Sequence, residues 1–386
     1  MRGLSARDLL DRLVAFPTLS HDSNLELVEF VEEYLGAHGV SARRVWNDDR
    51  SKAALYANVG PEVPGGVVLS GHTDVVPVDG HDWATDPFEV VERDGRLYGR
   101  GTCDMKGFDA LALAAVPKAL ARDLKRPLQI ALSFDEEIGC TGAPPMIDDM
   151  RGHLPRASAA IIGEPSMMQA VTGHKGTIGY WVTFRGFEVH SSLMHQGVSA
   201  IMEAGRLIDW ANRQNAENSA KATSEIAALF DPPWTTVHVG AIEGGTAHNI
   251  TSRTCRLQIE VRAVPDEPLT EWRARLFAEI ERIAADMKAV RREAGIDVEE
   301  IFDVPGLQPE EAGRAEELVR RITGDNARHV VSYGTEAGQF QERGFSSVIC
   351  GPGNIAQAHQ ANEFISVAQF EAGERFLDGV VDALCD

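Results

Sequence analysis

The chain is short of cysteine, short of positive charge relative to its acids, and without any long apolar run. Its five cysteines, Cys103, Cys140, Cys255, Cys350 and Cys385, are odd in number and scattered, with no C-x-x-C pair. Neither a disulfide scaffold nor a thiolate zinc site is indicated. Against 58 Asp and Glu stand 37 Lys and Arg, a formal net charge of −21, with a pI near 5.0. Such a balance argues against nucleic acid and anionic membrane as partners. It does not specify a cationic substrate, because an acidic surface also serves solubility. No run of about 18 apolar residues occurs, so no membrane span is expected. The opening Met-Arg-Gly-Leu-Ser-Ala-Arg-Asp mixes acid and base and lacks the apolar stretch of a signal peptide. Internal repeats and low-complexity tracts are also absent. A reducing, cytoplasmic setting fits these absences.

What is present is an ordinary globular composition, 44% hydrophobic and 25% charged, over 386 residues. That length predicts two domains. Ser5 to Asp8 resembles a capping box, with Leu9, Leu10, Leu13 and Val14 following at helical spacing. A second helix is expected over 24–38, strands over 52–58 and 66–71, then a loop from Pro77 to Gly101 rich in Asp, Gly and Pro. A helix over 108–122 precedes strands at 128–134 and 158–163. After Gly173 the pattern changes. A strand at 177–187, a helix at 197–214, strands at 235–242 and 253–263, a helix at 269–292 and a strand at 296–303 give a β-α-β-β-α-β order. Beyond Pro305-Gly306 come a helix at 310–323, strands near 329–332 and 346–350, and a helix at 366–384. The fold class read from this is α/β. A mixed sheet with helices on both faces spans 1–176 and 304–386, and a ferredoxin-like α+β domain is inserted at 177–303.

The chemistry centres on Val68-Leu-Ser-Gly-His-Thr-Asp-Val-Val76, where an apolar strand ends in His72 and Asp74. Residues i and i+2 of a strand point the same way, so the pair faces one pocket, and a carboxylate commonly fixes the tautomer of a metal-ligating imidazole. Other strands run into Asp135-Glu136-Glu137 and Gly163-Glu164-Pro165. Asp104 precedes a helix, and His359 follows the last strand. In an open α/β sheet, ligands gather at the carboxyl ends of strands. His72, Asp104, Glu137, Glu164 and His359 form a sulfur-free set suited to catalytic zinc, with cobalt or manganese able to substitute. Five ligands exceed one open tetrahedral ion and suit two ions about 3.5–4 Å apart. Asp104, in a Gly-flanked turn, is the best bridge. Adjacent carboxylates repel, so Glu137 as ligand and Glu136 as general base is the economical division. Taken alone, 135–137 would read as a solvated acidic turn.

Ser70-Gly-His-Thr-Asp-Val-Val-Pro77, Gly99-Arg-Gly-Thr-Cys-Asp-Met-Lys-Gly107, Asp135-Glu-Glu-Ile-Gly139, Gly163-Glu-Pro165 and His359 resemble, in order, the dizinc aminoacylase/carboxypeptidase family. The resemblance covers nearly the whole chain. It implies two Zn2+ ions, one held by His72, Asp104 and Glu164, the other by Asp104, Glu137 and His359. It also implies Asp74 orienting His72, Glu136 moving the proton, and a cis peptide between Asp104 and Met105. Glu at 164 goes with acyl-amino-acid and carboxypeptidase substrates. Gly186-Phe-Glu-Val-His190-Ser-Ser resembles the family's lid motif. Its histidine reaches the partner's site in a homodimer built by the inserted domain, although Glu188-Val189 departs from the usual small residues. Asn249 and Arg262 resemble residues that meet the substrate carboxylate; for Arg262 an ion pair within the sheet is the competing reading. Tyr333-Gly-Thr-Glu-Ala-Gly-Gln-Phe340 and Gly351-Pro-Gly-Asn-Ile-Ala-Gln-Ala-His-Gln360 look most like members acting on N2-acetylornithine. Members acting on succinyl-diaminopimelate would carry Ser-Asp where Glu336-Ala337 stand. Glu336 would pair with a substrate ammonium, or be a solvated or capping residue. The turn at Gly353 would offer backbone N–H groups to a carboxylate.

Overall fold

The computed structural model describes residues 2–80 and 82–386. The chain forms two compact units. The first runs to Gly173 and adds Pro309–His329 and Thr335–Asp386; the second is His174–Gln308 with Val330–Gly334.

The sheet of the first unit runs, in spatial order, Ala42–Trp46, Ala53–Val59, Leu128–Ser133, Val67–His72, Ala159–Pro165, Ser347–Gly351. The first two of these pairings are antiparallel and the next three parallel; beyond Ser347–Gly351 the short strand Val171–His174 pairs antiparallel. The central strands are buried on both faces, as parallel strands covered by helices must be. Leu55, Ala57, Leu69, Ile130 and Ile161 share one core with Phe108 and Leu111 of helix Lys106–Leu120. On the opposite face Tyr56 donates its hydroxyl to Asp149 of helix Ala143–His153 at 2.6 Å. The first helix, Ala6–Val14, opens with the full capping box between Ser5 and Asp8. The Pro77–Gly101 stretch is not all loop. Val91–Arg93 and Arg96–Tyr98 form a hairpin extended by Phe364–Ser366.

Two further elements escape the periodic pattern. Strand Ala42–Trp46 carries two arginines and lies at the sheet edge. Helix Ala143–His153 has Pro144 and Pro145 in its first turn, where proline needs no N–H partner and only looks like a breaker.

In the second unit four antiparallel strands lie in the order Thr236–Gly244, Thr254–Ala263, Gly176–Arg185, Gly295–Val304. Numbered along the chain this is 2-3-1-4, the ferredoxin-like arrangement. Ile178, Tyr180, Val182 and Phe184 alternate inward against Leu207 and Trp210 of helix Ala200–Ala220. Trp272, Leu276, Ile280 and Ile283 of helix Leu269–Val290 complete that core. Among the described residues, no helix is long and apolar enough to cross a membrane.

Candidate metal centre and active site

Three parallel strand ends of the first unit deliver the site. Val67–His72 ends at His72, Leu128–Ser133 leads into the Asp135–Glu137 turn, and Ala159–Pro165 carries Glu164. Asp104 comes from the turn before helix Lys106–Leu120, and the Asp104–Met105 peptide is cis, as the resemblance implies. His359 sits at φ 58, a left-handed backbone, after strand Ser347–Gly351.

These side chains converge on Asp104. His72 Nε2 lies 3.2 Å from Asp104 Oδ1 and 3.9 Å from both Glu136 Oε2 and Glu164 Oε1. His359 Nε2 lies 3.2 Å from Asp104 Oδ2 and 2.9 Å from Glu137 Oε2. Each oxygen of one carboxylate therefore faces a different imidazole. Ligand-type atoms of His72, Glu136 and Glu164 lie within 4.8 Å of one another, as do those of His72, Asp104 and Glu137. These groupings cross the ligand division implied by resemblance, because His72 joins both and Glu136 stands as close as Glu164.

Asp74 meets His72 chiefly through its backbone. The partner of His72 Nδ1 is the Asp74 backbone carbonyl at 2.9 Å, while the carboxylate lies 3.6 Å away. A carbonyl only accepts, so Nδ1 carries a proton and Nε2 is the ring atom turned toward Asp104, where it would be the ligand to a cation. The Asp74 carboxylate instead accepts the N–H groups of Glu136 (3.1 Å) and Glu137 (3.3 Å) and the Ser20 hydroxyl (2.8 Å). It thereby fixes the acidic turn against the strand end. Lys52 reinforces that turn through Asp135 at 2.5 Å. Ser20 and Lys52 gave no signal in the sequence, since an ordinary Ser and Lys acquire meaning only from what lies beside them.

The charges are crowded. Burial, opposed by His72 and reinforced by Glu137 and Asp104, holds Glu136 well above the usual carboxylate range. Burial, then Asp104 and Glu136, does the same to Glu164. Burial and Asp104 push Glu137 up to about 7. Asp104 is lowered, its burial outweighed by hydrogen bonds to His359 and His72, and Asp74 is lowered as well, its burial outweighed by His72, Ser20 and the Glu136 N–H. His359 is pushed up to about 10 by Asp104 and Glu137. Burial works against a charged His72, yet Asp104 and Asp74 hold its pKa well above the imidazole value. Glu137 Oε1 and Glu164 Oε1 are buried without a hydrogen-bond partner. Buried, unpartnered carboxylate oxygens are costly unless a cation meets them, so the donor set fits divalent metal.

The remaining candidates divide. Glu336 is fully buried, accepting hydroxyl donation from Ser133 and, at 3.4 Å, from Ser70; burial pushes it up to about 7. It is neither solvated nor capping by its side chain. Gly353, at φ 88, donates its N–H to Gln369 at 3.2 Å, so that group is not spare for a substrate. In the second unit Arg262 forks onto Glu260 at 3.1 and 3.2 Å, the ion pair within the sheet. His190 is exposed, and Ser191 N–H donates to Asn249 O at 2.8 Å, which brings 190 and 249 together. His190 Nδ1 lies 3.3 Å from the Ser192 N–H. That N–H can only donate, so a neutral His190 carries its proton on Nε2.

Fold and site define a metallohydrolase acting on amide bonds. In particular, the chain belongs to peptidase family M20/M25/M40, whose pattern matches residues 68–383. It is 36% identical over 393 residues to an acetylornithine deacetylase of Myxococcus xanthus, covering 98% of this chain and 97% of that one. It is 32% identical over 383 residues to an acetylornithine deacetylase of Pasteurella multocida (strain Pm70), covering 97% and 96%. Among solved structures, an M20 family metallo-carboxypeptidase from Sulfolobus solfataricus matches with a TM-score of 0.80 at 16% identity. The match covers 98% of this chain and 99% of that one, and shows the shared fold.

Proposed function

We propose that the chain hydrolyses the acetyl amide of N2-acetyl-L-ornithine to L-ornithine and acetate, in the cytoplasm, as a homodimer. The reaction class is carried by Asp104, whose two oxygens meet two imidazoles, with the Glu136 carboxylate 3.9 Å from one of them. The choice of acyl amino acid is supported by the whole-length similarity to acetylornithine deacetylases.

In this reading His72, Asp104 and Glu164 would hold one divalent ion and Asp104, Glu137 and His359 a second. Zinc is the first choice, with cobalt or manganese able to substitute. Bound there, such ions polarise the scissile carbonyl and acidify water. Glu136 is the proton carrier. Cys140 Sγ lies 3.4 Å from its Oε1, which leaves Oε2 to take the proton of the attacking water and return it to the leaving nitrogen. Asp74 holds the Glu136 backbone so that this carboxylate meets its substrate at one angle. Glu164 rather than Glu136 serves as ligand, since Glu164 Oε1 has no partner of its own.

The oxyanion is assigned to the partner subunit's His190, acting through Nε2–H, with Asn249 next to it for the substrate carboxylate. The second unit supports a dimer by what it exposes: Met194, Met202, Ile242 and Ile250 are apolar and 58%, 63%, 51% and 40% exposed. Mixing Glu136→Gln with His190→Ala subunits tests the exchange. Random heterodimers carry one intact site, so about one quarter of wild-type activity should return. If heterodimers form and the mixture stays inactive, His190 does not act across the interface.

The substrate assignment is tested with a panel of N-acyl amino acids assayed with added zinc or cobalt. N2-acetylornithine should show the highest kcat/KM. A preference for N-succinyl-diaminopimelate would move the chain to a different substrate within the same chemistry. Close acyl homologues should differ modestly, because one methylene is worth only about 1–3 kcal/mol.

A further inference from the structure

The two segments that meet at the centre, the turn 99–104 and the loop 359–363, are joined by one buried carboxylate. Glu363 is 1% exposed. Its Oε1 accepts the N–H of Cys103 at 2.9 Å and of Asp104 at 3.0 Å. Its Oε2 accepts from Arg100 Nη1 at 2.8 Å. Its backbone carbonyl accepts the Gly99 N–H at 3.0 Å. Arg100 is itself 0% exposed. It donates to the carbonyls of Gln360 (3.4 Å) and Pro77 (3.3 Å) and stacks on Trp83, with 5.0 Å from its guanidinium carbon to the ring centroid.

A fully buried Arg–Glu pair is not an efficient way to add stability, because desolvating two charges offsets most of their attraction. What this pair does achieve is geometric. It binds the backbone of Asp104 to the chain four residues beyond His359. The Asp104 and His359 side chains face each other at 3.2 Å across that brace. Nothing in the sequence pattern marked Glu363, which lies among polar loop residues.

We propose that Glu363, held by Arg100, is a positioning residue that sets Asp104 and His359 at the separation needed to share a divalent ion. This rests on the dinuclear reading above. Partners standing one step behind metal ligands commonly contribute about 10–100-fold to metal affinity.

The test compares metal retention in wild-type holoenzyme, Glu363→Gln and Glu363→Asp by competition with a chromophoric zinc chelator, alongside thermal melting. Glu363→Gln keeps an oxygen for the two N–H groups but leaves the Arg100 charge unpaired. Glu363→Asp keeps the charge and shortens the reach, so it remains informative if the Gln variant does not fold. Folded variants should lose zinc at chelator concentrations about 10–100-fold lower than wild type does. In Glu363→Gln, adding Arg100→Met removes the unpaired charge and should recover part of that loss. A variant that melts earlier yet retains zinc as tightly as wild type would reduce Glu363 to a structural residue and overturn the proposal. A wild-type protein that takes up no divalent ion would overturn the dinuclear reading, and this inference with it.

Discussion

Glu136→Gln should lower kcat by about 10²–10⁴-fold while leaving metal content close to wild type. The amide has the shape of the carboxylate, and the Asp74 bond to the residue 136 backbone does not depend on the side chain. What disappears is the ability to take a proton. Glu137→Gln should behave differently: its Oε2 faces His359 at 2.9 Å, so the change weakens one ion, and activity should recover with excess metal. The pair of variants is read by steady-state kinetics together with metal analysis. If Glu136→Gln loses metal and Glu137→Gln keeps it, the division of roles between neighbours is reversed. If both lose metal alike, no general base has been identified.

Removing divalent ions with a chelator should abolish turnover, and zinc or cobalt should restore it. Stability should move with activity. An ion that binds only the folded chain stabilises it by about 2.7 kcal/mol at a free concentration 100 times its dissociation constant. The effect is enlarged here by what the ion relieves: Glu136, Glu137 and Glu164 are all raised by burial and by neighbouring carboxylates, Asp104 among them in each case. The metal-depleted protein should therefore melt several degrees below the holoenzyme, as calorimetry would record. Full turnover by protein shown to contain no metal would remove the basis for the whole mechanism.

Most of the metal centre is legible in the sequence because its residues close apolar strands. Val67-Val68-Leu69 leads to His72, Leu128–Ser133 to Glu136 and Glu137, and Ala159–Ile162 to Glu164. Burial of the strands forces their ends to one edge of the sheet. The inserted βαββαβ order is legible for the same reason, since the inward alternation of Ile178, Tyr180, Val182 and Phe184 has a period of two. What the sequence hides are the supports. Asp74 appears as a partner of the His72 ring, yet its carboxylate serves the backbone of 136 and 137. A hydrogen bond to a main-chain N–H leaves no trace in residue identity. Glu336 appears either as a buried group for a substrate ammonium or as a solvated or capping residue; it is buried, and Ser70 and Ser133 meet it in the interior. Those serines lie near the ends of two strands and read as ordinary boundary residues. Helix Ala143–His153 was concealed by its own prolines.

The interrupted first unit has a consequence in time. Strand Ser347–Gly351 lies beside Ala159–Pro165 in the sheet, and His359 follows it, while the whole second unit is encoded between. At about 5–20 residues per second, a ribosome adds most of the inserted unit, through Gln308, about 2–8 s before it reaches Ser347. The inserted unit has its own core and can fold while the first remains unfinished. The candidate metal centre, by contrast, lacks the His359 imidazole until the final stretch of synthesis. In the proposed ligand set, a truncation before His359 spares four of the five side chains yet removes the imidazole that faces Asp104 and Glu137.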